Sequence, residues 1–548
     1  MREIDRLTIE RFRVPSQLLM EEAAASSLQA IAAHFRDGLQ GKRVRVLCGR
    51  GNNGGDGAAL ARQLWLKGAR CDIILFGRVE ETNADARVNF EIAQRLSSFE
   101  AGTHTEPPPL AFIECAGVAD WEEIASAGHS YDLIVDALFG TGLTRPLEGL
   151  FLKAVEHLAL LSRARERARG EYPLIVSLDI PSGINADSAE LIGEAVRADL
   201  TITFTAPKPA NVLPPASHYS GRLIIADIGS PVVLIEAAES KLFLTEEEDA
   251  RSWLVKTRYT PDSYKNVHGH ALIIAGSRGM TGAAALCGKA AMNSGAGLAT
   301  IATAASALPA VSARSMPEIM TAPLAETSKG AISFEAVEEA QKLAERSAII
   351  AIGPGLSSED ETTRRFVRAI VERRKTPVVI DADALNALAP WPEGLRGSDE
   401  HPLILTPHPG EMLRLIGTDD KDALSDRVRV AREFATAHEL ILVLKGSRTI
   451  VAAPDGRVFI NPTGNAGLGT AGAGDTLTGI ITGFLAQAYG TLKAEANAVE
   501  AVIAAVYVGG FAGDIAARER GMRSMVASDI SRHLGAAIYA LDPVGEKP

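Results

Sequence analysis

Residues 44–57 read Val44-Arg-Val-Leu-Cys-Gly-Arg-Gly-Asn-Asn-Gly-Gly-Asp-Gly57, a β-branched run that gives way to a glycine turn. The Ala-rich stretch at 57–67 has helical composition, so the segment predicts strand, tight turn and helix. Further β-branched runs at 71–76, 132–135, 174–178, 201–204 and 223–226 alternate with helical patterns at 84–96 and 150–167. Such alternation predicts an α/β fold with a Rossmann-like parallel sheet. The rhythm breaks at the acidic patch Thr245-Glu-Glu-Glu-Asp-Ala250. A second α/β series opens at His270-Ala-Leu-Ile-Ile-Ala-Gly276, with later strands at 348–352, 378–381, 403–405 and 441–444. The 548 residues exceed the ~100–200 of a single domain. A boundary is expected within 232–250, dividing 1–240 from 241–548.

Composition narrows the function. Hydrophobic residues make up 46% and charged residues 23%, which excludes a disordered chain. Acids outnumber bases 68 to 56, a net charge of −12. With a pI near 5.5, this argues against a general nucleic-acid or acidic-membrane binder. Cys48, Cys71, Cys115 and Cys287 follow no CxxC spacing, so neither a zinc site nor a disulfide framework is indicated. The acidic start Met1-Arg-Glu-Ile-Asp-Arg6 is no secretory signal. No uninterrupted apolar run approaches the ~18 residues of a membrane span. A reducing cytoplasm is the expected location.

Gly49, Gly51 and Gly54 satisfy GxGxxG, the dinucleotide fingerprint. Two features oppose an ordinary oxidoreductase. Asp56, expected at the helix N-terminus, would repel a pyrophosphate docked there. The run at 71–76 ends in Gly77-Arg78, without the ribose-binding acid. Two more carboxylate loops follow strands: Val135-Asp136-Ala-Leu-Phe-Gly-Thr-Gly142 and Leu178-Asp179-Ile-Pro-Ser-Gly-Ile-Asn185. Loops after parallel strands gather at one sheet edge, so Asp56, Asp136 and Asp179 are expected to converge with Asn52, Asn53 and Ser182. Such a cluster suits acid/base work or a cation. The alternative is three unrelated turn aspartates, each making an Asx-type bond.

The second half lacks GxxxxGK[ST], which excludes a Walker-type NTPase. It offers instead Asn461-Pro-Thr-Gly-Asn-Ala-Gly-Leu-Gly-Thr-Ala-Gly-Ala-Gly-Asp475-Thr-Leu-Thr-Gly479. Gly472, Ala473 and Gly474 are expected to open a helix whose free amides and dipole stabilise an anion. Asp475 is then placed to take a proton from a hydroxyl. Lys445-Gly-Ser-Arg-Thr449 follows a strand and supplies a cation and backbone donors for phosphates. His408, in Thr406-Pro-His-Pro-Gly-Glu411, is a candidate substrate contact. Asp381, Asp383 and Glu411 could order magnesium around phosphates, or be solvated turn acids.

These motifs carry a resemblance. Asn52-Asn-Gly-Gly-Asp-Gly57, Asp136-Ala-Leu-Phe-Gly-Thr-Gly-Leu143, Asp179-Ile-Pro-Ser-Gly183, Ala206-Pro-Lys-Pro209 and Ala226-Asp-Ile-Gly229 resemble the N-terminal domain of the NAD(P)H-hydrate repair enzymes (YjeF-type). That family's domain epimerises the R and S forms of NAD(P)H hydrate. The resemblance implies that Asn52, Asn53, Gly54, Gly55 and Asp56, with Gly140, Thr141, Gly142, Leu143, Thr144, Arg145 and Pro146, contact the hydrate. It implies acid/base catalysis by Asp179, and potassium held by Asn53, Asp136 and Ser182. Glu22 stands where the family commonly has Asn.

The second half is similar to the ribokinase-like ADP/ATP-dependent NAD(P)H-hydrate dehydratases through the GAGD element, His270–Ser277, Met280-Thr-Gly-Ala-Ala284, Ser294-Gly-Ala-Gly-Leu298, Gly353-Pro-Gly355, Thr406–Met412, Lys445-Gly446 and Asn461-Pro-Thr-Gly-Asn465. This implies a Mg2+-dependent phosphorylation of the hydrate by ADP or ATP, followed by phosphate loss. Ala283, Gly355, His408 and Asp475 would contact the hydrate; Lys445, Gly446, Ser447, Arg448, Thr449 and Gly474 would contact the nucleotide. Ala466 replaces a frequent Pro. The resemblance also implies a homo-oligomer. A vitamin-precursor kinase shares GAGD but would keep a phosphorylated product, and a noncatalytic first domain is opposed by the intact Asn53, Asp56, Asp136, Asp179 and Ser182.

Overall fold

The computed structural model describes residues 1–98, 109–127, 130–167 and 172–543. They form two compact units, Met1–Glu239 and Ser240–Pro548. All four cysteines are free and buried.

The first unit is built on seven parallel strands: β1 (Arg43–Cys48), β2 (Arg70–Phe76), β3 (Leu110–Cys115), β4 (Leu133–Ala137), β5 (Leu174–Leu178), β6 (Leu200–Phe204) and β7 (Arg222–Ala226). Their spatial order is β3-β2-β1-β4-β5-β6-β7. Chain direction across the sheet therefore reverses between β1 and β4, where an open parallel sheet leaves a crevice for ligands. β4, β5 and β6 are buried throughout, as continuous apolar strands covered on both faces should be. The edge strand β3 was not foreseen; its Ile113 and Glu114 stay exposed, which weakens the apolar signal.

The helix after β1 starts at Asn52, not at 57, and runs Asn52–Leu66 with Gly51 as its N-cap. Asp56 is thus inside the second turn rather than at the cap. Glycine is a poor helix former, but contacts demand it here. A Cβ on Gly54 would lie 1.8 Å from the Gly49 carbonyl oxygen, and one on Gly57 would lie 2.6 Å from Ala137 Cβ.

The second unit has a ten-stranded sheet in the order β11-β10-β9-β12-β13-β14-β15-β16-β17-β8. The strands are β8 (Leu242–Leu244), β9 (His270–Ile274), β10 (Leu298–Ala304), β11 (Met320–Leu324), β12 (Ile349–Ile352), β13 (Val378–Ile380), β14 (Leu403–Leu405), β15 (Ile441–Leu444), β16 (Ile450–Ala452) and β17 (Val458–Ile460). All pairings are parallel except β15–β16 and β16–β17. This is an α/β layer with its own reversal, between β9 and β12.

The acidic patch after Thr245 is no break but a helix, Glu247–Lys256. Its first turn holds Glu247, Glu248 and Asp249, where acids favour the helix dipole. The helix Ala498–Arg520 is long and apolar enough to cross a membrane by length and composition, yet 61% of its most apolar window is buried inside the protein. It packs on helices Ala473–Gln487, Glu247–Lys256 and Ala527–Leu541.

Helices Thr281–Asn293 and Ala473–Gln487 touch through small residues. A Cβ on Gly479 would sit 2.2 Å from the Cys287 carbonyl oxygen. Gly479→Ala should cost about 1–3 kcal/mol, read as a lower midpoint of the second unit in thermal unfolding.

Candidate active sites

At the β1/β4 reversal a cavity of about 550 Å3 opens. Its wall includes Asn52, Asn53 and Asp56 from the helix after β1, Gly140, Thr141 and Gly142 from the loop after β4, and Asp179 from the end of β5. Asp179 adopts φ 65°, a left-handed conformation unusual for a non-glycine residue. The chain around it holds it there. Its amide donates to Ile202 O at 2.7 Å, and Asn211 Nδ2 donates to its carbonyl at 3.2 Å. Its carboxylate pairs with the buried Lys208 ammonium at 2.5 Å. Lys208 also donates to Thr203 Oγ1 at 2.9 Å and Phe204 O at 3.0 Å.

Asp56 faces the same cavity. Burial, then the negative charges of Asp179 and Asp5, push its carboxyl well above the usual range.

Asp136, near the end of β4, is fully enclosed. It accepts from Ser182 Oγ at 2.6 Å, Ser177 Oγ at 2.8 Å and Ser182 N at 2.9 Å. Burial raises its pKa against these bonds. Asn53 Nδ2 donates to Leu178 O at 3.3 Å, while Asn53 Oδ1 is buried with no hydrogen-bond partner. A buried carbonyl oxygen left without a hydrogen-bond partner fits an oxygen-ligated cation.

In the second unit, Asp475 lies in the first turn of helix Ala473–Gln487, whose N-cap is Gly472. Lys445, at the end of β15, pairs with Asp381 at 2.8 Å and approaches Glu411 at 3.8 Å. Thr478 Oγ1 donates to the other Asp381 oxygen at 2.7 Å. A Cβ on Gly474 would come 3.3 Å from Lys445 Nζ, so glycine lets the ammonium lie against the helix start. Burial opposes charge on Asp381, but Lys445 outweighs it and holds the carboxyl below its ordinary value. Asp475 lacks such a partner: burial, then Asp381, push it up to about 6.

Residues 16–210 match the family model described as YjeF-related protein N-terminus, and residues 271–535 match that of NAD(P)H-hydrate dehydratase. The bifunctional NAD(P)H-hydrate repair enzyme of Moorella thermoacetica is 38% identical over 97% of this chain and 94% of that one. The enzyme of the same name from Escherichia coli is 32% identical over 93% and 87%. This chain belongs to the bifunctional NAD(P)H-hydrate repair enzymes. A solved Bacillus subtilis ADP/ATP-dependent NAD(P)H-hydrate dehydratase, co-crystallised with ATP and Mg2+, is 32% identical, covers 56% of this chain and 100% of its own, with a TM-score of 0.45.

Other residues implied by the repair-enzyme resemblance are placed as follows. Gly54 and Gly55 face packing contacts, Gly55 against Ala86 and Met20. Leu143 is buried in an apolar cluster with Leu47 and Phe76, and Thr144, Arg145 and Pro146 are exposed on the loop beyond. Gly355, at φ 66°, lies against Ala283, whose Cβ would be 3.1 Å from an added Cβ. His408 caps helix Pro409–Ile416, its Nδ1 accepting from Gly410 N at 3.0 Å and Glu411 N at 3.3 Å. Its Nε2 lies 3.5 Å from Glu411.

Arg427, unremarked in the sequence, gathers the 445–449 loop by donating to Ser447 O at 2.9 Å and to Leu444 O and Lys445 O at 3.3 Å. Arg448 donates to Pro462 O at 2.5 Å, and the Thr449 carbonyl accepts from Asn461 N at 2.9 Å. Asp381 is taken up by Lys445 and Thr478, and Asp383 accepts from Ser357 N at 2.9 Å. Among the described residues no group of three His, Cys, Asp or Glu is placed to hold a metal.

Lys208 had one trace in the sequence, a cation between two prolines just after a buried strand. Asp475 should titrate near 6 by carboxyl-selective NMR, neutral below and charged above. Lys445→Met removes a charge that lowers it, so the midpoint should move up.

Proposed function

We propose that the chain restores both epimers of hydrated NADH or NADPH, epimerising in the first unit and dehydrating in the second. The observation carrying it is that each unit gathers its motif aspartate, a lysine ion-paired with a buried aspartate and a glycine approach at the carboxyl edge of its sheet. In the first unit Asp179 takes the proton from the ring hydroxyl as the C–N bond beside it opens. Closure on the other face of the aldehyde gives the other epimer. Asn53, Asp136 and Ser182 would hold potassium, which supplies positive charge there.

In the second unit Asp475 accepts the proton of the S-hydrate hydroxyl as the hydroxyl oxygen attacks the terminal phosphoryl group of ADP or ATP and displaces AMP or ADP. Amides at the helix start receive the charge on that group, and Lys445 with the 445–449 loop holds the remaining phosphates. The ring nitrogen pair then expels phosphate from the phosphorylated carbon, and a proton leaves the adjacent carbon to restore the dihydropyridine. Magnesium would arrive on the nucleotide and neutralise its phosphates, the chain's own acids being otherwise engaged. We place this repair in the reducing cytoplasm.

The test supplies racemic NADH hydrate, magnesium, potassium and either donor, following reduced-nicotinamide absorbance and phosphate. Wild type should return both epimers, one in a fast phase and one through epimerisation. Asp475→Asn should abolish the return while chromatography still shows R and S exchanging. Asp179→Asn should leave the fast phase and drop the slow phase to the spontaneous rate. No return with either donor would overturn the reading.

Potassium has a separate check. KCl should raise the first unit's melting midpoint above that in NaCl, and Asn53→Ala should erase the difference.

A further inference from the structure

The first unit's cavity has a wall that lies outside residues 16–210, the part matched by the family model. Helix Arg2–Phe12 contributes Met1, Arg2, Asp5 and Ile9 to it. Arg2 donates to the carbonyl of Thr141, at 2.5 Å, so the helix is tied to the loop after β4 that forms the facing wall. Asp5 Oδ1 is enclosed and has no hydrogen-bond partner. A carboxyl oxygen shut from water and left unbonded is costly, and the Asp5 side chain that carries it belongs to a residue lining the cavity where a substrate would lie.

The proposed reaction leaves one proton unaccounted for. When the C–N bond of the hydrate opens, its electron pair goes to the ring nitrogen, which must be protonated to leave as a neutral enamine. Asp179, paired with Lys208, receives the hydroxyl proton and is not a donor at that moment.

We propose that Asp5 is the second proton-transfer residue of the epimerase, a catalytic acid that protonates the ring nitrogen as Asp179 deprotonates the hydroxyl. This rests on the epimerase reading above. The step balances. The O–H pair becomes the second bond of the aldehyde, the C–N pair takes the Asp5 proton, and Asp179 holds the hydroxyl proton. Rotation about the carbon–carbon bond next to the aldehyde turns its other face to the nitrogen. Reversal of both transfers closes the ring as the other epimer and restores Asp5 as acid and Asp179 as base.

The surroundings suit an acid. Burial pushes Asp5 above the ordinary aspartate range, with the N-terminal amine and Lys208 opposing and Asp179 reinforcing. Negative charge on Asp5 in turn raises Asp56, and the helix Val232–Glu236 packed on the same helix carries one acid, Glu236.

The experiment uses the full chain, whose dehydratase phase serves as an internal control. Asp5→Asn should leave the fast phase intact and slow the R-epimer phase by about 100-fold, the lower range for general acid catalysis. Wild-type kcat/KM for that phase should fall on the alkaline side as Asp5 loses its proton, and the Asp5→Asn residual rate should lack that limb. If Asp5→Asn lowers the first unit's melting midpoint, Asp5→Glu is read instead: it must return both the rate and the alkaline limb. A wild-type R-phase in Asp5→Asn, or no rescue by Asp5→Glu, overturns the assignment if Asp179→Asn has fallen to the spontaneous rate. If Asp179→Asn also keeps the wild-type R-phase, the epimerase reading itself fails.

Discussion

A lysine ion-paired with a buried aspartate at the end of a parallel strand organises both units: Lys208 with Asp179 after β5, and Lys445 with Asp381 after β13. Taking two charges out of water is unfavourable unless each finds the other and further bonds complete the shell. Thr203 and the Phe204 carbonyl complete it in one unit, Thr478 and Glu411 in the other. Removing either lysine would leave a buried carboxylate uncompensated, a loss of about 3–5 kcal/mol. The units use the pair differently. In the first, the paired aspartate itself faces the cavity. In the second, the pair stands beside the lone Asp475 and its negative member raises that neighbour.

Much of this was readable because a parallel sheet sends every strand-to-helix loop to one edge. Once 44–48, 132–135 and 174–178 read as strands, Asn53, Asp136 and Asp179 belonged at one sheet edge, and the structure brings Asn53 and Asp179 to one cavity and bonds Asp136 to Ser182. The Gly472–Gly474 helix start was equally legible, since a local motif determines it. Local rules failed where distant contacts overrode them. Propensity placed the helix start at 57, but Gly54 and Gly57 serve the approach to Gly49 and Ala137 rather than flexibility. β8 pairs with β17, more than two hundred residues away, and nothing in Leu242-Phe-Leu244 foretells that. Asp5 and Arg427 were silent for the same reason, each acquiring its place only through segments that no local pattern links to it.

The helix Ala498–Arg520 has a consequence for how the second unit is made. Its apolar surface is covered by Glu247–Lys256 at the beginning of the unit and by Ala527–Leu541 near its end. A ribosome therefore releases the central plug of this core only after most of the sheet has already emerged. Until that moment helices Glu247–Lys256 and Ala473–Gln487 keep an uncovered apolar flank, and the late helix is itself greasy enough to attract other surfaces. Completion of the unit is thus a terminal, all-at-once event in synthesis, and a chain ending before residue 498 would keep that flank open for good.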